Sequence, residues 1–232
     1  MPKKPALTII QHNPVEGLGR IGHWCEANNM DYQLVQPFHG DRLPELTPDQ
    51  RLIVLGGPMN VGEPELDQEQ EWLQRQVDKR VPILGICLGG QMLAQCLGAE
   101  VTPLPQEEWG WKSLKMADDH HRVFAPFSDV AAVFEWHSYQ FSLPQGSEPL
   151  GATEQCDRQG FVLDDRFVGI QFHPEWTQQS LTALANQSGH WPPGLKECAA
   201  SNIAKLDQAV FEFLGQWWEL SATGRGMRYT NC

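Results

Sequence analysis

The chain has 232 residues, with 29 acidic against 17 basic side chains and a formal net charge of −12. That balance, without any basic stripe, argues against a general nucleic-acid role. No apolar run approaches the roughly 20 residues of a membrane span, and the Lys3-Lys4 pair is not followed by the apolar core of a secretory signal. In chain order, Ala6-Leu7-Thr8-Ile9-Ile10 reads as a first strand, residues 18–29 as a helix and Tyr32-Gln33-Leu34-Val35 as a second strand. Arg51-Leu52-Ile53-Val54 is a third strand, running into Leu55-Gly56-Gly57-Pro58. Residues 65–80 form a helix with Leu66, Trp72, Leu73 and Val77 on one face. Val81-Pro82-Ile83-Leu84 is a short buried strand, and the stretch 88–98 is helical. Residues 100–175 are rich in short strands and turns, which predicts antiparallel additions, and they include the apolar strand Phe167-Val168-Gly169-Ile170. Ile203, Leu206, Val210, Phe213, Leu214 and Trp217 recur at helical spacing, so a C-terminal amphipathic helix is expected. The alternation of strands and helices predicts one α/β domain over residues 1–221, with a mostly parallel central sheet flanked by helices and a loose tail over 222–232.

The stretch Gly85-Ile86-Cys87-Leu88-Gly89-Gly90-Gln91 joins a buried strand abruptly to a helix. A Cys at such a turn, flanked by small residues, has the layout of a nucleophile elbow. The turn forces the nucleophile into a strained backbone conformation, and glycines remove Cβ atoms that would clash. The helix N-terminus beneath it favours thiolate. A second signal follows the strand 167–170: Gln171-Phe172-His173-Pro174-Glu175. Side chains at i and i+2 on extended backbone face the same way. His173 can therefore serve as the base for Cys87, with Glu175 fixing its tautomer and stabilising the imidazolium. In an acyl-transfer reaction the Leu88 N–H, next after the nucleophile, is one expected oxyanion donor. A second donor is expected from Gly56-Gly57-Pro58, where glycine lets backbone approach the substrate. Gln91, one helical turn beyond Cys87, faces the same pocket. The other cysteines show no CxxC pairing and no zinc spacing, and Cys25, Cys96, Cys156 and Cys198 read as small buried hydrophobes in a reduced, cytoplasmic protein. The nine Trp residues read as packing groups.

Three blocks, Leu55-Gly56-Gly57-Pro58, the Cys87 elbow with Gln91, and His173-Pro174-Glu175, resemble in content and order the class I (triad-type) glutamine amidotransferases. Trp136-His137-Ser138-Tyr139-Gln140-Phe141 is a softer fourth block. The match spans roughly residues 6–185 and is most similar to freestanding, GMP-synthase-like members. The resemblance implies a flavodoxin-like three-layer sandwich and a Cys87–His173–Glu175 triad. It favours Gly57 as the second oxyanion donor and puts Gln91, His137, Ser138 and Tyr139 at the glutamine substrate. It implies no metal and no organic cofactor. Many members have an acidic residue where Tyr139 stands here, in a Trp-His-Gly-Asp type of motif. An acid could read an α-ammonium group, which Tyr cannot do in the same way, so the departure bears on whether free glutamine is the substrate.

Three functions are compatible with these residues. The first is a glutaminase that passes ammonia to a separate synthetase subunit, since the chain carries no P-loop or synthetase domain of its own. The resemblance adds that such glutaminases often stay switched off until a partner completes the oxyanion hole. The second is a freestanding γ-glutamyl peptidase or hydrolase using the same thioester chemistry. The third is a non-catalytic redox sensor built on the Cys87 thiol; it has no need of His173 and Glu175.

Overall fold

The computed structural model describes residues 5–188 and 200–223. The Lys3-Lys4 pair, Cys198 and the tail from residue 224 onward lie outside the described residues. The elements in chain order are β1 (Leu7–Ile10), α1 (Gly19–Ala27), β2 (Tyr32–Val35), β3 (Arg51–Val54), α2 (Asp67–Asp78), β4 (Ile83–Ile86), α3 (Leu88–Cys96), β5 (Val101–Ser113), β6 (Lys115–Met116), β7 (Ala132–Phe141), β8 (Glu148–Pro149), β9 (Gly151–Ala152), β10 (Gly160–Leu163), β11 (Phe167–Ile170), α4 (Gln178–Ser188) and α5 (Ala200–Thr223).

Seven strands form the central sheet in the order β2-β1-β3-β4-β11-β10-β8. The five strands from β2 to β11 are parallel, and β10 and β8 join antiparallel at one edge. Four of the parallel strands, β1, β3, β4 and β11, are buried along their whole length, which is why each reads as a largely apolar run, while β2 at the edge leaves Tyr32 and Gln33 exposed. Alternate residues serve opposite layers: Leu7, Ile9, Ile53 and Leu84 pack with α1, α5 and the 3₁₀ segment Arg122–Asp129, while Ile10, Leu52, Val54 and Ile83 pack with α2 and α3. Three layers result, with one core on each face of the sheet, and a smaller cluster of Phe134, Trp176, Leu181 and Ala185 beside the ribbon.

Four details depart from the sequence reading. The β4 strand runs to Ile86 rather than stopping at Leu84, so sheet pairing continues to the residue before Cys87. The antiparallel additions are not all short: β5 and β7 pair over most of their lengths as a separate ribbon. Helix α4 has no counterpart in the sequence reading, because its polar sequence carries a weak apolar stripe. Cys25 and Cys156 are buried as expected, whereas Cys96 is only half-buried at the end of α3.

The packing of α3 on β3 sets a demand on one glycine. A Cβ at Gly89 would lie 2.1 Å from the carbonyl oxygen of Val54, whereas a Cβ at Gly215, on α5, would meet nothing within 4 Å. Gly89→Ala is therefore expected to lose about 3 kcal/mol of stability through forced backbone displacement. Gly215→Ala should gain up to about 1 kcal/mol of helix propensity. Denaturant unfolding of both variants checks the contrast; equal midpoints would contradict the described packing. No described helix is long and apolar enough to cross a membrane.

Candidate active site

In open parallel sheets, ligands bind beyond the carboxyl ends of the strands, at the point where strand order reverses. Here the segments leaving β1, β3, β4 and β11 converge on one cavity of about 410 Å³. They bring Asn13, Val15 and Glu16, then Gly57, then Cys87 and Leu88, and finally His173 and Trp176 to its wall. The β5–β7 ribbon closes another side with Glu107, Trp136, His137, Ser138 and Tyr139.

Cys87 is the turn residue between β4 and α3, with φ +50° and ψ −110°, a region a non-glycine side chain enters only under constraint. The constraint is visible: its N–H donates to the Ile170 carbonyl of β11 at 2.8 Å, and its own carbonyl accepts from the Gln91 N–H at 2.9 Å. The thiol is left 6% exposed at the cavity floor. Sγ lies 3.8 Å from both the Trp136 carbonyl oxygen and Nε2 of Gln171.

His173 and Glu175 follow β11 and are both buried. The Nδ1 of His173 is 2.8 Å from Oε1 of Glu175, and the His173 N–H donates to the Phe134 carbonyl of β7 at 2.9 Å. With Nδ1 committed, Nε2 is the nitrogen left for the thiol of Cys87. Burial works to lower the pKa of His173, but the charge of Glu175 and the Cys87 side chain outweigh it and hold the ring well above its ordinary value. The indole of Trp176 stacks on the imidazole at 3.7 Å between ring centres and 13° between planes. The sequence reading takes Trp176, with the other tryptophans, as packing; its place next to His173-Pro174-Glu175 is the local signal for a role at the site. Bare backbone comes up close to the pair at Gly56, where a Cβ would sit 2.8 Å from Cε1 of His173, 3.0 Å from Oε2 of Glu16 and 3.5 Å from Cβ of Cys87.

Two groups outside the sequence expectations hold or flank this site. Buried Arg20, on α1, donates through Nη1 to the carbonyls of Pro174 (3.3 Å) and Trp176, and its Nε meets Asp207 of α5 at 2.5 Å. Its backbone N–H donates to the Glu175 carbonyl at 2.8 Å, so α1 clamps the whole 174–176 turn. Glu16 lines the cavity beside His173, and burial raises its carboxyl pKa.

The four expected substrate residues all reach the cavity wall, in different ways. The Nε2 of Gln91 donates to the Tyr139 carbonyl at 3.1 Å and to Oε1 of Gln171 at 3.3 Å, so its amide ties strand β7 to the segment after β11. Ser138 is exposed and Tyr139 half-buried. The ring of His137 turns inward. Its Nδ1 lies 2.8 Å from the Tyr139 carbonyl, and its Nε2 lies 3.0 Å from Glu108 and 3.1 Å from Glu135. Thr153 and Gln159 donate to the same Glu108 carboxylate at 2.6 and 2.9 Å. Glu108, His137 and Cys156 are close enough in space to suggest a metal set, but both oxygens of Glu108 and both ring nitrogens of His137 are already engaged by protein groups.

Burial acts to lower the pKa of His137, but hydrogen bonds to Glu108 and Glu135 overcome it and push the value up to about 10. A folded-state value above the unfolded 6.5 contributes stability that is complete below about pH 6.5 and disappears as pH rises through about 10. The unfolding free energy should therefore decline across that window, and His137→Asn should flatten the decline. A slope identical to wild type would place the linkage in other groups.

Three comparisons place this geometry among known proteins. The sequence model of the glutamine amidotransferase class-I family matches residues 8–187. The glutamine amidotransferase-like protein YfeJ of Salmonella typhimurium is 26% identical over 227 residues, covering 90% of this chain and 95% of that protein. A GMP synthase of Vibrio vulnificus is 30% identical over 173 residues, 72% of this chain, and the match spans 31% of the synthase, about a third of its length. Among solved structures, a glutamine amidotransferase of Methylobacillus flagellatus superposes with a TM-score of 0.83 at 26% identity, covering 99% of this chain and all of the other. One from Thermotoga maritima gives 0.82 at 29% identity, covering 92% and 97%.

Proposed function

The chain belongs to the class I glutamine amidotransferase family, and from that premise we propose that it hydrolyses a γ-glutamyl amide through a Cys87–His173–Glu175 triad. One observation carries the reading: a buried imidazole held by a carboxylate at 2.8 Å stands beside a cysteine strained onto a strand-to-helix turn at the floor of one cavity.

The Cys87 thiolate attacks the δ-carbonyl carbon, and the N–H groups of Leu88 and Gly57 receive the oxyanion. The carbon–nitrogen bond then breaks as Nε2 of the His173 imidazolium gives its proton to the leaving nitrogen, which leaves a γ-glutamyl thioester. Water attacks this ester while neutral His173 takes its proton. The carbon–sulfur bond breaks, and glutamate and the starting ion pair are restored. Glu175 holds the ring in one tautomer throughout. Trp176 covers the ring face and keeps water from it. With glutamine the leaving group is ammonia, available to a separate synthetase subunit.

A second leaving group is favoured by the wall beside His173. Trp136, Trp176 and Leu184 line the cavity there, giving an apolar flank that ammonia alone would not fill. That flank supports hydrolysis of larger γ-glutamyl compounds. Glutamate release from glutamine and from a panel of γ-glutamyl dipeptides, with Cys87→Ala as the blank, tests both. Cys87-dependent release from glutamine supports the amidotransferase reading, and release from dipeptides alone supports a peptidase. Release that survives in the blank overturns the triad.

A further inference from the structure

The mechanism above uses the Gly57 N–H but says nothing of what holds it, and a buried pair next to it does so. His12 follows β1 and Glu69 lies on α2; both side chains are buried. The Nδ1 of His12 is 3.0 Å from the Gly56 carbonyl oxygen, and its Nε2 is 2.8 Å from Oε1 of Glu69. Both partners are acceptors. A neutral imidazole has one N–H and could satisfy only one of them, so the doubly donating imidazolium is the form that fits. Its pKa agrees in direction: burial lowers it, but the Glu69 hydrogen bond and charge, the Gly56 carbonyl and the charge of Glu16 together leave it raised.

The consequence runs through one peptide plane. The Gly56–Gly57 peptide is trans, so its carbonyl and its N–H point in opposite directions. The carbonyl is drawn toward His12, on the β1 side of β3. The Gly57 N–H must then point away from that side. The strand on the other side of β3 is β4, which leads into Cys87. His12 also packs against Gly57 itself, since a Cβ built there would lie 2.8 Å from the His12 Cβ. No other described backbone bond fixes this peptide.

We propose that His12, held by Glu69, is the positioning residue of the oxyanion hole: it turns the Gly56–Gly57 peptide so that the Gly57 N–H faces the carbonyl attacked by Cys87. This rests on the triad reading above. It also adds to that reading, because a donor fixed by bonds within the chain needs no partner subunit to turn it. The isolated protein is therefore competent for hydrolysis.

The test is steady-state hydrolysis of γ-glutamyl-p-nitroanilide, glutamine and γ-glutamyl dipeptides, together with alkylation of Cys87 by iodoacetamide. Alkylation needs the thiolate but forms no oxyanion. His12→Leu should lower kcat about 100-fold, the scale of losing one oxyanion donor, with KM and the alkylation rate unchanged. His12→Asn, whose amide can still donate to the Gly56 carbonyl, should recover at least about tenfold of that loss. Glu69→Gln removes the charge without removing volume and should cost about tenfold in kcat; it carries the test should His12→Leu not fold. Wild-type kcat in folded His12→Leu or in Glu69→Gln overturns the inference and leaves the triad standing. A fall in kcat matched by the same fall in alkylation also overturns it, since the damage would then lie at Cys87. A wild type inactive on every substrate overturns this inference and leaves a partner-dependent triad standing, whereas hydrolysis that persists in Cys87→Ala overturns the triad reading and this inference with it.

Discussion

Replacing Cys87 by Ala is expected to abolish glutamate release, a loss on the order of 10⁶-fold, as when the nucleophile of other triads is removed. The whole effect should appear in turnover. Cys87 is held by the Ile170 carbonyl and by its place at the head of α3, and neither depends on the thiol. Ala can adopt the same turn at a cost comparable to that already borne by Cys. The thermal midpoint should therefore stay close to wild type while activity disappears. Residual turnover at the wild-type rate would remove the nucleophile assignment. A collapse in stability alongside it would recast Cys87 as a packing residue.

Glu175→Gln should cost about 10⁴-fold, less than loss of the nucleophile, because the His173–Cys87 pair survives while its orientation does not. The amide keeps the shape of the carboxylate and one acceptor for Nδ1, so the structural disturbance is small. It loses the charge that opposes burial in holding the His173 pKa up. The folded-state value of His173 must then fall. If the imidazolium is the working form, the alkaline limb of the pH–rate profile moves to lower pH in the variant. A limb that stays in place, or shifts upward, would show that Glu175 does not govern the proton on His173. Complete loss with misfolding would assign Glu175 to the turn that Arg20 clamps.

The parts of this site that were legible in the sequence are those whose signals are local. The parallel strands read clearly because a doubly covered sheet demands continuous apolar runs. The elbow read clearly because close packing against Val54 forces Gly89 to be glycine two residues after the nucleophile. His173 and Glu175 are two residues apart, and the extended backbone after β11 turns both inward. What stayed hidden depends on long-range pairing. Glu108 and His137 meet only because β5 pairs with β7, and nothing near either residue announces the other. Arg20 looks like an ordinary helix cation until α1 is laid against the 174–176 turn. His12 and Glu69 are 57 positions apart. One signal was available for His12 and Glu16: polar residues just beyond the end of the first strand lie where parallel sheets bind ligands.

The interior polar groups add a structural part to two of the residues expected at the substrate. Gln91 and His137 stand where substrate contacts are expected, yet their nitrogens are engaged by protein acceptors. Both brace the part of β7 that presents Ser138 and Tyr139 to the cavity. Ser138 and Tyr139 on the ribbon side and Glu16 with Asn13 on the β1 side also line the cavity.

The central claim is covalent, and mass spectrometry of the intact protein tests it most directly. Enzyme turning over a γ-glutamyl substrate is quenched in acid, digested and mapped. The account predicts a γ-glutamyl group on the peptide carrying Cys87, absent from Cys87→Ala and accumulating when deacylation is slowed. Glutamate release without an adduct, or with the adduct on Cys25, Cys96 or Cys156, would contradict it.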